Sequence, residues 1–337
     1  MIDSPVTPTI DFAREGVQHG FLKLPYSRDD SAWGAVMIPI TVVRRGRGPT
    51  VLLTGANHGD EYEGPVALVK LAGSLTAGEV NGCVIIVPYL NYPAFRAGHR
   101  TSPIDRGNLN RSFPGRPDGT VTQKIADYVQ RQLLPLADYV LDMHAGGKSL
   151  DFVPFAAVHV LENKEQQARC EAAMRAFGAP YSMLMLELDS VGLFDTAAES
   201  AGKVFVTTEL GGGGTATAAS IAIAERGVRR LLVHAGVCDG KLEPAESVVL
   251  DMRDGDCFVT CLHDGLLEMC KNLGERVEAG EVLARVHDAT RTGVPPIEYR
   301  ARRGGLLACR HFAGLIGSGD TLAVIADAVR PRPRASA

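Results

Sequence analysis

The stretch TVLLTGANHGDEYEGPVALVKLAGSL (residues 50–75) contains the pattern that decides the fold. It opens with an apolar run at 50–54, which predicts a buried strand, and from Glu63 onward its apolar residues have helical spacing. His58, Asp60 and Glu61 lie between these two elements, directly where the strand ends. Packing of a hydrophobic core does not require such a polar cluster, whereas metal binding or acid–base chemistry does.

The alternation of apolar strands and helical segments continues along most of the chain. Strands are predicted within 20–46 and at 83–90, 138–144, 151–160 and 203–210. Helices are predicted at 120–137, at 163–178 and after the four glycines at 211–214. Strands separated by helices predict an α/β fold with a mostly parallel sheet that helices cover on both faces.

The pattern changes near residue 245. Helical periodicity disappears, and short apolar runs alternate with glycine-containing turns, as in LGERVEAGEVLARVHD (273–288). We therefore predict a main domain at 1–244, a small all-β domain at 245–329 and a disordered tail at 330–337.

The composition argues against several classes of function. The chain has 337 residues, of which 22% are charged, and a formal net charge of −4 with its Lys and Arg residues spread out. No apolar run approaches the roughly 18 residues of a membrane span, and the N-terminal segment lacks the features of a secretory signal. The seven cysteines are scattered without a C-x-x-C pair, which favours reduced thiols. We expect a cytoplasmic protein that binds a small molecule rather than nucleic acid or a membrane, and self-association into a homo-oligomer stays open.

Three predicted strand ends carry chemically useful side chains. His58 and Glu61 follow the first strand, His144 closes the strand at 138–144, and Glu209 lies at the end of the strand at 203–210. Each has an ordinary explanation alone: H-x-x-E arises by chance, His144 could be a satisfied histidine, and Glu209 could be a helix cap or a surface residue. Because functional groups gather at the carboxyl ends of strands in open α/β sheets, their conjunction favours a site. Two His and one Glu are a ligand set of catalytic zinc.

A long segment at 91–119 shows little periodicity and is rich in Pro, Gly, Asn and Arg. Its polar side chains include Arg100, Arg106, Asn108, Asn110 and Arg111. A solvated loop would explain some of this composition. An Arg beside an Asn is also suited to binding a carboxylate, and long irregular segments in compact domains are often functional.

Four motifs in sequence order carry a resemblance to a known family: NHGDEYEG (57–64), NLNRSFPG (108–115), DMHAGG (142–147) and TTELGG (207–212). Together they resemble the succinylglutamate desuccinylase/aspartoacylase family, a branch of the zinc carboxypeptidase-like hydrolases. The resemblance covers about residues 45–240 and extends into the β domain. It implies a mixed sheet flanked by helices, one zinc ion per chain, and hydrolysis of the amide bond of a small N-acyl amino acid.

The resemblance also implies roles for individual residues. His58, Glu61 and His144 match the zinc ligands, and Glu209 matches the general base and acid. Asn110 and Arg111 match the pair that holds the substrate carboxylate. Arg100 matches the arginine that polarises the scissile carbonyl, with Arg106 as the competing candidate.

Within the family, the stretches at 16–42 and 97–119 most resemble the branch that removes acetate from Nα-acetyl-L-2,4-diaminobutyrate in ectoine degradation. The ammonium of such a substrate needs an acidic partner, for which Asp60, Glu63 and Asp105 are the candidates. An aspartoacylase- or desuccinylase-type deacylase, a zinc carboxypeptidase and a non-catalytic binding protein stay open as alternatives. The β domain, expected to cap the site, argues against peptide substrates, and the complete set of site residues argues against a binding protein.

Overall fold

The computed structural model describes residues 2–185, 189–252 and 255–329. The predicted disordered tail at 330–337 lies outside the described residues. No helix within the described ranges is both long and apolar enough to cross a membrane. All seven cysteines are free thiols.

The strands begin and end where apolar runs meet glycine, proline or polar residues. In chain order they are β1 (Thr7–Pro8), β2 (Gly16–Pro25), β3 (Ala35–Arg45), β4 (Thr50–Gly55), β5 (Gly82–Val87), β6 (Tyr139–His144), β7 (Leu150–Phe152), β8 (Phe155–His159), β9 (Tyr181–Met185), β10 (Val204–Glu209), β11 (Val248–Asp251), β12 (Phe258–Thr260), β13 (Gly265–Met269), β14 (Arg276–Val277), β15 (Val282–His287), β16 (Ile297–Arg300), β17 (Gly305–His311), β18 (Leu315–Ile316) and β19 (Thr321–Val329).

The α-helices lie almost entirely between strands of the first 244 residues. They are α1 (Glu63–Ser74), α2 (Tyr92–Ala97), α3 (Val121–Tyr128), α4 (Leu134–Leu136), α5 (Lys164–Phe177), α6 (Phe194–Ser200) and α7 (Ala218–His234). Helix α5 shows why such segments are helical: Asn163 caps its first backbone N–H groups, and Gly178 ends it in the left-handed conformation at φ 73°.

Within the described residues, fifteen strands form one mixed sheet and four form a second sheet. The large sheet has the order β1-β2-β3-β5-β4-β6-β10-β8-β9-β11-β19-β17-β14, with β12 beside β19 and β7 beside β17. Its centre is parallel, because β4 pairs in parallel with β5 and β6, and β6 with β10. The carboxyl ends of β4, β6 and β10 therefore lie at one edge. The predicted mixed sheet flanked by helices is confirmed.

Both faces of the central sheet are buried, so its strands are apolar throughout rather than alternating. Val51 and Leu53 of β4 pack in a core with Leu68 of α1 and Phe177 of α5. Leu52, on the opposite face of β4, packs in a second core with Phe205.

The C-terminal strands join the large sheet directly. Strand β11 pairs with β9 on one side and with β19 on the other, and β17 pairs with β7. The latter pairing brings Cys309 opposite Phe152, in the segment that follows His144. The strand-rich C-terminal region predicted from residue 245 is present, and it forms one wall beside the carboxyl ends of the central strands. The division into domains stays a prediction.

Several local expectations were wrong. The segment expected to be irregular at 91–119 contains α2, the strand predicted at 151–160 is split into β7 and β8, and β9 and α6 had not been predicted. Each of these elements is short, and short elements depend on their neighbours more than on their own periodicity.

Candidate metal centre and active site

The strand ends meet as predicted. His144 and Glu209 are the last residues of β6 and β10 and lie directly opposite each other in register. Gly55, the last residue of β4, pairs with Met143, so the turn that carries His58 and Glu61 starts beside His144. The sheet therefore supplies all four side chains to one place.

Close packing of the backbone turns His58 and Glu61 inward. Ala56 adopts a left-handed conformation with φ 49°, which is unusual for a residue with a side chain. A Cβ atom on Gly59 would lie 2.0 Å from the carbonyl carbon of Ala94, so only glycine fits there. In this tight turn His58 is 3% exposed and Glu61 is 2% exposed.

The three predicted metal ligands converge on one point. The Nδ1 atom of His58 lies 2.7 Å from Oε1 of Glu61, and the Nδ1 atom of His144 lies 2.9 Å from Oε2 of the same carboxylate. One ligand atom from each residue falls within 4.8 Å of the others. Two imidazole nitrogens and a carboxylate at this spacing can hold a divalent cation.

Asp142 contacts the ring nitrogen of His144 that does not face Glu61, a role that the sequence had not predicted. Its Oδ2 atom lies 2.8 Å from Nε2 of His144 and accepts a hydrogen bond of 2.8 Å from Nδ2 of Asn57. Its Oδ1 atom accepts a hydrogen bond of 2.6 Å from Oγ1 of Thr54. A proton on Nε2 of His144 leaves Nδ1 as the metal-binding atom, an arrangement common behind metal-bound histidines. The motif D-x-H on a strand contained the signal, because residues two apart share a face.

The charges of this cluster suit a cation. Burial opposes ionisation of Glu61, but the positive charges of His58 and His144 hold its pKa well below the usual range. Burial disfavours the charged form of His144 too, yet the carboxylates of Asp142 and Glu61 raise its pKa well above the usual value. Burial lowers the pKa of His58. The carboxylates that hold a proton on His144 would equally attract a metal ion, which would displace the proton from Nδ1.

Glu209 lies beside this cluster as a second carboxylate, on a half-buried side chain. Its Oε2 atom is buried and has no hydrogen-bond partner among the described residues. Burial and the negative charge of Glu61 raise the pKa of Glu209 to about 8. A cation on the three ligands would oppose that rise, since it favours the carboxylate form. Glu209 thus offers a carboxylate beside the ligand cluster that can act as a base.

The other predicted residues occupy the rim of the site. The Nη1 atom of Arg100 lies 3.6 Å from Oε1 of Glu61, whereas Arg106 does not line the cavity. Oδ1 of Asn110 accepts hydrogen bonds from Nδ2 of Asn57 at 3.3 Å and from the backbone N of Phe194 at 3.1 Å. Nη1 of Arg111 donates to the backbone O of Asp189 at 2.8 Å, which fixes its guanidinium at the cavity wall.

A cavity of about 330 Å³ connects these groups. The three ligands, Glu209, Arg100, Asn110 and Arg111 line it, and so do apolar side chains of β8, β9 and the C-terminal strands. The sequence analysis did not predict His159 and Asp195, which also line the cavity. Neither residue belongs to a motif, and His159 lies within the strand predicted at 151–160.

The three acids considered for an ammonium partner lie outside this lining. Asp60 accepts a hydrogen bond from the backbone N of Lys148 at 2.9 Å, and Asp105 accepts from the backbone N of Thr122 at 2.7 Å. Glu63 is 1% exposed, and burial raises its pKa to about 8. Asp60 and Asp105 thus hold the backbone of the fold, and Glu63 is buried in it.

The glycines after Glu209 allow two backbone segments to approach each other closely. Gly211 and Gly212 have φ values of 116° and 154°, and a Cβ atom on Gly212 would lie 2.0 Å from the carbonyl oxygen of Leu150. The carbonyl of Gly211 accepts hydrogen bonds from the backbone N of Gly146 and of Phe152. These contacts tie the end of β10 to the segment that follows His144.

Comparison with known proteins identifies the family. Residues 47–235 match the succinylglutamate desuccinylase/aspartoacylase catalytic domain. The chain belongs to this family. Its members hydrolyse amide bonds, so this chain is an amide hydrolase, as predicted.

Individual relatives match over almost the whole chain. The Nα-acetyl-L-2,4-diaminobutyric acid deacetylase of Halomonas elongata is 60% identical over 328 residues, which cover 97% of this chain and 96% of that protein. The product-bound structure of the ectoine utilization protein EutE (DoeB) from Ruegeria pomeroyi is 64% identical, with a TM-score of 0.96 over 97% of this chain and 100% of that one. A succinylglutamate desuccinylase structure from a Silicibacter species is also 64% identical, with a TM-score of 0.96, and covers 98% of this chain and 100% of that one. The predicted resemblance to the diaminobutyrate branch is confirmed.

Proposed function

We propose that this protein is a zinc-dependent deacetylase that converts Nα-acetyl-L-2,4-diaminobutyrate into acetate and L-2,4-diaminobutyrate in ectoine degradation. One observation carries the proposal: a single cavity is lined by a metal-ligand triad, by an Asn-Arg pair and by a carboxylate whose buried Oε2 atom has no hydrogen-bond partner among the described residues. The 60% identity to a deacetylase of that name supports the choice of substrate.

His58, Glu61 and His144 would hold the zinc ion, one per chain. The fit rests on this chain's own atoms, since both Nδ1 atoms face the two oxygens of Glu61 and Asp142 fixes the ring of His144. When bound, zinc supplies a Lewis acid that acidifies water and stabilises negative charge on the amide oxygen.

Glu209 acts as the general base and then as the general acid. Its carboxylate takes a proton from the attacking water and later delivers a proton to the nitrogen of the leaving amine. The carboxylate lines the cavity and its Oε2 atom is buried, so it can pass a proton between water and amine there. Arg100 lies at the same end and donates hydrogen bonds to the amide oxygen as negative charge develops there.

Asn110 and Arg111 orient the substrate through its α-carboxylate. They lie next to each other on a short 3₁₀ turn, and both line the cavity. A planar guanidinium beside an amide donor suits a carboxylate.

The strands after residue 245 limit which substrates enter. Phe258, Cys309 and Val324 belong to that region and line the cavity. A cavity of about 330 Å³ with a wall on this side fits a small N-acyl amino acid better than a peptide chain.

The test is a set of kcat/KM values on Nα-acetyl-L-2,4-diaminobutyrate, N-acetyl-L-aspartate, N-succinyl-L-glutamate and a short peptide, with detection of the released amine. We expect the first substrate to be turned over fastest and the activity to depend on zinc. Faster turnover of either acidic substrate would contradict the diaminobutyrate assignment but leave a zinc deacylase. Faster peptide cleavage would favour a carboxypeptidase, and binding without turnover would favour a binding protein.

A further inference from the structure

We propose that Asp195 binds the side-chain ammonium of the substrate's amino acid and thereby selects a cationic side chain. This inference rests on the proposed function and identifies the residue that recognises the substrate's side chain.

Asp195 is adjacent in sequence to a residue that contacts the proposed α-carboxylate site. Asp195 follows Phe194, whose backbone N donates to Oδ1 of Asn110 at 3.1 Å. Asp195 and Asn110 both line the cavity, and this backbone contact joins the segments that carry them. The ammonium of diaminobutyrate lies only a few bonds from the same carboxylate, so a residue near Asn110 can reach it.

The cavity extends along the sheet from the metal ligands to His159 and Asp195. Glu209 of β10 pairs with Phe155 of β8, and His159 lies four residues further along β8, about 13 Å from that strand end. The buried side chain of His58 lies at the metal end of the cavity. Its Nε2 atom has no hydrogen-bond partner among the described residues. Phe155, Met183 and Thr207 line the wall between the two ends.

The charges around Asp195 favour a cationic ligand. Nδ1 of His159 lies 3.0 Å from Oε1 of Glu199, and its Nε2 lies 3.9 Å from Oδ2 of Asp195. One imidazole carries at most one positive charge, so these three groups are net negative whenever both carboxylates are ionised. Asp195 is 15% exposed and lines the cavity, which makes it the carboxylate of this cluster that a ligand reaches. A cationic side chain placed there gains a charge-assisted hydrogen bond in a partly desolvated site.

A purely structural role is the alternative for Asp195. It lies in the first turn of α6, where a carboxylate stabilises the helix, and its Oδ1 accepts a hydrogen bond from the backbone N of Thr196 at 2.5 Å. That role would affect all substrates equally, whereas ammonium binding affects only cationic ones.

The experiment compares two substrates that differ only in the charge. Nα-acetyl-L-norvaline carries a methyl group in place of the ammonium of Nα-acetyl-L-2,4-diaminobutyrate. We measure kcat and KM on both for the wild type, Asp195→Asn, Asp195→Glu and the control Glu162→Gln, which removes one charge from an exposed residue after β8. For Asp195→Asn we expect kcat/KM on the diaminobutyrate substrate to fall about 30-fold or more, mainly through KM, with little change on norvaline.

Asp195→Glu keeps the charge and should recover part of the preference, and Glu162→Gln should behave as the wild type. Equal losses on both substrates in Asp195→Asn, or no loss on either, would overturn the inference. If Asp195→Asn does not fold, Asp195→Ser is measured instead, because serine is also favoured at helix N-termini. If the wild type prefers N-acetylaspartate, the proposed function is refuted. If the wild type prefers the diaminobutyrate substrate and Asp195→Asn keeps that preference, only the role of Asp195 is refuted.

Discussion

Replacement of Asp142 by Asn should weaken zinc binding without unfolding the protein. Asp142 is 1% exposed and accepts hydrogen bonds from Thr54, Asn57 and His144. The Asn side chain has nearly the same shape, and its oxygen can still accept from His144 and Asn57. Its NH₂ group would then face the hydroxyl of Thr54, which can turn toward the carbonyl of Leu141, 3.3 Å away. The main change is the loss of one negative charge behind the metal ligand.

The magnitude follows from that geometry. The carboxylate of Asp142 lies 2.8 Å from Nε2 of His144, which places it about 7 Å from a metal on Nδ1. A unit charge about 7 Å from a divalent ion contributes about 5 kcal/mol at an effective dielectric constant of about 20. The hydrogen bond and the dipole of Asn retain part of this attraction. We therefore expect zinc affinity to fall about 10–100-fold, or about 1.4–2.7 kcal/mol.

The assay is a competition between zinc-depleted protein and a chromophoric chelator of known affinity, with activity measured in parallel at saturating zinc. Asp138→Asn is the matched control, because it removes the same charge from an exposed position just before β6. The control should bind zinc as the wild type does. A dissociation constant for Asp142→Asn within about threefold of the wild type, or within about 0.7 kcal/mol, would refute the role of Asp142.

Three further predictions test the remaining parts of the site. Glu209→Gln should keep zinc and fold but lose about two to four orders of magnitude in kcat, and near-normal turnover would show that another residue is the base. Arg111→Ala should lower kcat/KM on the α-carboxylate substrate about 30-fold, or about 2 kcal/mol. A larger loss is not expected, because the Arg111 side chain is 45% exposed, and equal losses on an α-amide substrate would exclude carboxylate binding. Zinc at about 100 times its dissociation constant should raise the free energy of unfolding of the wild type by about 2.7 kcal/mol, and a similar rise in His144→Ala, measured by chemical denaturation, would contradict the ligand assignment.

Much of the site was predictable because its signals are local in the chain. The H-x-x-E spacing of His58 and Glu61 and the strand ending at His144 appear in single short motifs. The parallel sheet then brings Glu209 opposite His144, as the general rule for strand ends requires. Residue types, periodicity and this one rule were sufficient to place four side chains together.

The identity of the groups around those four depended on contacts between distant parts of the chain. Asn57 reaches Asp142 across 85 residues of sequence, and Phe194 reaches Asn110 across 84. Asp195 has no motif, and only the packing of α6 beside the 3₁₀ turn of Asn110 brings it into the cavity. Likewise, the pairing of β17 with β7 places the C-terminal region beside the site, although no pattern in either strand specifies its partner. Local patterns determine which elements form because hydrophobic periodicity is a property of neighbouring residues. Which elements touch is decided by burial and pairing over the whole fold, so the positions of Asp142 and Asp195 at the site became evident only in the tertiary structure.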